Sequence, residues 1–197
     1  MQLIDAYRAN RNDIESPTRN FIIFHLCGQH VGYGERYPAD FAKFSARSVK
    51  SKLRLSDEQR GVVADYLNAT LYNDYVVDSI IRMFADRNAI VLYFSDHGEE
   101  VYDFRLQQGR TDLMTDVPRA LHSQLDIPFM IYVSPRYAAT HPQQVERIKR
   151  SIDRPFMTDN LPQVIFDLLG VRTKYYKPAS SVINDAYRPQ KQRMLQV

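Results

Sequence analysis

The chain holds a single cysteine, Cys27, so no internal disulfide can form and the covalent staples of small secreted domains are excluded. The count fits the cytoplasm and fits an exported domain that needs no staple. Long apolar runs are also missing. The longest, such as Ala89 to Phe94, fall far short of the ~20 residues that span a bilayer, and Met1 to Asn20 has no signal-peptide core, so the polypeptide alone is expected to be soluble. An excess of one charge is missing too: 26 Lys and Arg face 23 Asp and Glu, scattered along the chain, which argues against a nucleic-acid-binding tract. Only Arg188, Lys191 and Arg193 thicken into a basic cluster, which reads as a solvated tail or as a contact for anionic headgroups. There is no internal repeat and no low-complexity segment.

What is present is 197 residues, 44% hydrophobic, enough for one core that buries roughly 70% of the surface of the unfolded chain. A single domain over 1–197 is expected, with 1–19 and 178–197 as peripheral segments. Phe21 to Phe24 is a continuous apolar run, so a first buried strand is expected to begin near Asn20. Gly28 to Arg54 reads as a long irregular connection of the kind that carries function. Ser56 and Gln59 form a capping-box pattern, and Val63, Leu67, Leu71, Val76, Ile80 and Phe84 recur at helical spacing, predicting a helix over about Asp57 to Asp86. Ala89 to Phe94 reads as a buried central strand and Pro128 to Ser134 as another; helices follow Pro142 and span Leu161 to Leu169, stopped by Gly170. The alternation predicts an α/β layered fold with a mainly parallel sheet and ligands at the carboxyl ends of strands, so the chemistry should follow Phe24 and Phe94.

Asp96 and His97 stand where the central strand ends, offering a carboxylate oxygen and an imidazole nitrogen, a donor pair suited to Zn²⁺. Gly98 would permit the sharp turn that adjacent ligands need, and Glu99 could orient a ligand imidazole from outside. The competing reading has Asp96 capping a turn and His97 hydrogen-bonded in place. His25 and His30 follow the first apolar run on the same expected edge, although His25 fits equally well as a packed strand residue. Cys27 invites a thiolate reading but, beside Leu26 and Gly28, is expected to be small and buried. Tyr66, Asn68, Tyr72 and Asp74 read as supporting structure, and His122 and His141 lack comparable surroundings.

Several separated segments taken in order carry a resemblance: Phe24-His25-Leu26, Gly28-Gln29-His30, Arg36-Tyr37-Pro38, Tyr66-Leu67-Asn68, Leu71-Tyr72-Asn73-Asp74-Tyr75, and Ser95-Asp96-His97-Gly98-Glu99-Glu100. Val101-Tyr102-Asp103, Gln108-Gly109-Arg110, Ile127-Pro128-Phe129 and Asp159-Asn160-Leu161-Pro162 continue it to about Arg193. Together they resemble the phosphoethanolamine transferases of the alkaline phosphatase and sulfatase superfamily. The resemblance implies an alkaline-phosphatase-like three-layer α/β/α domain, N-terminally incomplete here, from an inner-membrane protein whose catalytic domain is periplasmic. The implied reaction moves phosphoethanolamine from phosphatidylethanolamine to lipid A or lipopolysaccharide core sugars through a zinc-activated threonine.

Carried over residue by residue, Asp96 and His97 match two of the zinc ligands, and His30 matches a histidine that contacts phosphoethanolamine or a second zinc. The remaining ligands, a glutamate and the nucleophilic threonine, would belong to sequence preceding this chain; Thr18, Thr70, Thr111 and Thr115 match neither, so no nucleophile is assigned. Arg110 stands about where lipid A-modifying members have a further histidine, could bind phosphate, and tilts the implied acceptor toward a core sugar. The chain alone is expected to be inactive. It is also expected to self-associate through an exposed sheet edge, giving a possible homodimer. A sulfatase or phosphodiesterase hydrolase, or a non-catalytic binding domain, are the alternatives.

Overall fold

A computed structural model describes residues 2–110 and 117–189; Thr111, Thr115, Lys191 and Arg193 lie outside the described residues. In chain order the elements are helices α1 (Gln2–Ala9), α2 (Arg11–Ile14) and α3 (Asp57–Met83), strands β1 (Ile90–Phe94), β2 (Glu100–Val101) and β3 (Gln108–Gly109), helix α4 (Val117–Leu125), strand β4 (Phe129–Val133), and helices α5 (Pro135–Thr140), α6 (Pro142–Lys149) and α7 (Leu161–Leu169). They cluster into two compact units: Met1–Met83 with His97–Asp126, and Phe84–Asp96 with Ile127–Val197.

The first unit is built on α3. Its capping box forms as the sequence indicates, Ser56 N–H donating to Gln59 Oε1 at 2.9 Å and Gln59 N–H to Ser56 Oγ at 3.2 Å. The helix ends at Met83, three residues before the predicted end, where Arg87 N–H closes a turn on the Phe84 carbonyl. Tyr33, Ala69 and Val101 form a buried cluster with Tyr37, Val62, Val63, Tyr66 and Tyr102 against it. Residues 1–19, without evident periodicity, nevertheless supply α1, which buries Ile4 and Tyr7.

The predicted strand at Phe21–Phe24 does not form among the described residues. The backbone of 20–27 is irregular, with no ladder partner. Alternate residues are covered or exposed, Phe24 stacking edge-on against Tyr7 while Phe21 is 60% and Ile23 74% exposed. An apolar run becomes a strand only when another strand accepts its hydrogen bonds. The same alternation corrects the reading of Cys27 as buried: it lies on the outward side and is exposed.

In the second unit β1 pairs with β4 in register, Ile90 against Val133 through Phe94 against Phe129, and the pairing is antiparallel. β2 and β3 also pair antiparallel, in the first unit. The α/β class stands, but a parallel arrangement is not what these strands adopt. The reason is the path of the chain: it leaves the second unit after Asp96 and re-enters at Ile127, next to the Phe94–Phe129 pair. Exit and return at one end of a strand pair make it antiparallel, whatever lies between.

Against this pair pack Val164 of α7, Val182 and Ile183, all nearly inaccessible, with Phe129, Ile131, Ile148, Phe156 and Leu168 around them. α7 ends at Gly170, whose φ of 67° is the left-handed cap anticipated from the sequence. Within the C-terminal stretch expected to be peripheral, residues 181–184 are anchored: Ser181 Oγ and Asn184 Nδ2 both donate to Asp167 Oδ2 at 2.8 Å.

Candidate metal and phosphate site

The long connection after Cys27 is held open in a defined shape. Gly28 and Gly32 have φ of 52° and 83°, values that strain any residue with a Cβ. Arg36 reaches back to donate through Nε to the His30 carbonyl at 3.2 Å and through Nη2 to the Val31 carbonyl at 2.9 Å, fixing the backbone that carries His30. Gln29 is tied to Thr70 Oγ1 at 3.0 Å, and that hydroxyl is itself spent on the Tyr66 carbonyl of its own helix. His30 itself is exposed, as is His25.

One side chain links this loop to the Asp-His-Gly segment. Tyr33, 3% exposed, donates its hydroxyl proton to Glu99 Oε1 at 2.7 Å. Burial, and then the bond to the Glu99 carboxylate, push the phenol well above its ordinary value, so Tyr33 remains a donor at physiological pH. Glu99 therefore takes a tyrosine as partner. On the imidazole, His97 Nδ1 lies 2.7 Å from the Gly98 carbonyl oxygen. A carbonyl only accepts, so Nδ1 carries the hydrogen and Nε2 keeps the lone pair a metal requires.

Gly98 is needed for a reason the sequence did not suggest. Its φ is not left-handed; instead a Cβ would sit 2.4 Å from the Ser123 carbonyl oxygen and 2.9 Å from that of Asp126. Close approach to the end of α4, rather than turn conformation, excludes a side chain. Beyond it, Glu100 is fully buried and gripped by Arg105, and Arg110 is exposed just after β3. Asp96 is exposed at the end of the 84–96 segment.

By donor type a carboxylate oxygen such as that of Asp96 and an imidazole Nε2 such as that of His97 are both groups that zinc accepts. Among the described residues no group of three or more His, Cys, Asp or Glu is gathered as a metal cage. No described helix is long and apolar enough to cross a membrane. Tyr33 and Arg36 hold the loops in place together with Arg105 and Gln124, two residues that the sequence did not single out. Tyr33, flanked by two glycines, and Arg36, in the Arg-Tyr-Pro segment, carried a signal; Arg105 and Gln124 carried none.

The sulfatase family model matches residues 6–171. The phosphoethanolamine transferase EptC of Escherichia coli strain K12 is 37% identical over 174 residues, covering 86% of this chain and 29% of that protein. The phosphoethanolamine transferase CptA of Salmonella typhimurium is 36% identical over the same length and shares. The crystal structure of the C-terminal periplasmic domain of EcEptC in complex with zinc superposes with a TM-score of 0.82 at 34% identity, over 95% of this chain and 51% of that one. The chain thus spans less than a third of these relatives and about half of the solved EcEptC periplasmic domain.

Proposed function

The chain belongs to the sulfatase family, and from that premise we propose that it is the C-terminal portion of a phosphoethanolamine transferase catalytic domain, acting on the periplasmic side of the inner membrane. The donor is phosphatidylethanolamine and the acceptor lipopolysaccharide, at a core sugar or lipid A. The observation that carries the reading is the Tyr33–Glu99 hydrogen bond, which unites the His30 loop and the His97 loop. These are the two segments in which the resemblance places metal and substrate contacts.

Asp96 and His97 would hold Zn²⁺, which when bound supplies positive charge against the charge that develops on a transferred phosphoryl group. The chain's own residues do the rest of the positioning. His30, on the backbone fixed by Arg36, meets the phosphoethanolamine group. Arg110, exposed after β3, offers a planar guanidinium to phosphate. Glu99 accepts from the Tyr33 hydroxyl and so ties the two loops together.

The test is a chimera. Residues 20–197 replace the matching stretch of the Escherichia coli relative in a strain lacking its own transferase, and lipopolysaccharide is analysed by mass spectrometry. Phosphoethanolamine addition is expected, and His97→Ala in the chimera should cut it to below about one hundredth. A folded chimera that releases free phosphoethanolamine or sulfate with no gain on lipopolysaccharide would instead establish a hydrolase.

A further inference from the structure

Gln124, near the end of α4, is engaged at both of its polar ends. Its backbone carbonyl accepts the Gly98 N–H at 2.9 Å, and its side-chain Nε2 donates to Glu100 Oε2 at 3.0 Å. Both side chains are sealed from solvent, Gln124 at 1% and Glu100 at 0% exposure. From the other side Arg105 grips the same carboxylate with two parallel bonds, Nε to Oε1 at 2.7 Å and Nη2 to Oε2 at 2.8 Å. Gly98, Gln124 and Glu100 therefore close a small circuit around Glu99. The fit is so tight at Gly98 that one added carbon would sit 2.4 Å from the Ser123 carbonyl oxygen.

A buried carboxylate paired with a guanidinium is a poor route to stability, because desolvation consumes most of the attraction. What the pair does supply is direction. The residue that inherits it is His97, whose Nδ1 faces the carbonyl of the same Gly98 that Gln124 holds by its N–H.

We propose that Gln124 is a positioning residue for His97. Through its carbonyl and its side chain it fixes the 98–100 backbone, with the Glu100–Arg105 pair as buttress, so that the imidazole keeps its Nδ1–H tautomer and presents Nε2. The proposal rests on the reading of His97 as a zinc ligand, and its test separates the two.

The test uses the 197-residue chain labelled with ¹⁵N. His97 ring correlation spectra without metal report the tautomer, and competition with a chromophoric chelator reports Zn²⁺ affinity. In Gln124→Met, which keeps the length but donates nothing, the His97 ring is expected to lose its single-tautomer pattern and zinc affinity to fall about tenfold. Its circular dichroism melt should stay cooperative. Glu100→Gln keeps the shape and loses the charge that holds Arg105; it should move both readouts the same way, and it decides the matter if Gln124→Met does not fold. An unchanged tautomer and unchanged affinity in a folded variant overturn the clamp. If His97→Ala binds zinc as tightly as the unaltered chain, the ligand reading fails, and the ring spectra alone then decide the clamp, a changed tautomer supporting it and an unchanged one overturning it.

Discussion

At the scale of single residues the site depends on atoms that are missing as much as on those present. Gly98→Ala adds one methyl where two backbone oxygens already lie 2.4 and 2.9 Å from its position. Backbone carbonyls cannot swing aside as a flexible side chain can, so the loop or α4 must shift. The substitution is expected to destabilise the fold by about 1–3 kcal/mol, measured as a lower urea midpoint. A midpoint unchanged within error would mean that the loop relaxes freely and that the tight approach has no consequence. Asp96, His97 and Gly98 stood out in the sequence because acid, imidazole and glycine adjoin at a strand end, but the reason Gly98 is needed, its close approach to the end of α4, carried no sequence signal. Gln124 was not legible: a glutamine on a polar helix has no pattern that separates it from a solvated one, and its role exists only once Glu100 is opposite it.

At the scale of elements, α3 does more than cover the core. Asn68, 1% exposed, accepts the N–H groups of Lys43 and Phe44 at 2.8 Å each, and donates to the Phe44 carbonyl at 3.0 Å and the Tyr37 hydroxyl at 3.2 Å. A single amide thus replaces a strand partner for a stretch of loop. Asn68→Ala would remove the protein partner of those backbone groups, at a cost of about 1–3 kcal/mol; denaturant unfolding checks this, and a loss below about 1 kcal/mol would show that water substitutes for the amide. Helices α3, α6 and α7 were readable in advance because their signals are local: the Ser56–Gln59 box, Pro142 and Gly170 lie next to what they start or stop, whereas α1 and α4 carry no such signal. Strand order was not, because pairing depends on where the chain returns. The Phe21–Phe24 run shows the limit, since apolar character sets a tendency to be covered but not by what.

At the scale of the whole molecule, tyrosine sets the alkaline limit. Tyr33, Tyr137, Tyr176 and Tyr187 are raised above the ordinary phenol value chiefly by burial, and Tyr37 chiefly by its hydrogen bond to Asp65. A phenol whose folded pKa exceeds its unfolded value of about 10 contributes stability that is intact below that value and is lost as pH rises toward the folded one. Unfolding midpoints should therefore be flat up to about pH 9 and fall above pH 10. The buried Tyr33 alone contributes a slope of up to about 1.4 kcal/mol per pH unit. Tyr33→Phe should be less stable at neutral pH and flatter in alkali, and equal slopes in the two proteins would assign the alkaline loss to other groups. The chain has no tryptophan, so tyrosine absorbance follows the same titration directly.

The bond from Gly98 to Gln124 also orders events in time. It joins positions separated by a long stretch of chain, whereas the capping box of α3 closes over three residues. Contacts of that reach form after local ones, because the entropy of closing the intervening loop must be met first. His97 consequently acquires its orientation only when α4 docks. During refolding, helical signal should return before the His97 ring gains its single-tautomer pattern, and in a chain emerging from the ribosome the 97–100 loop stays unformed until residues well past it have been made.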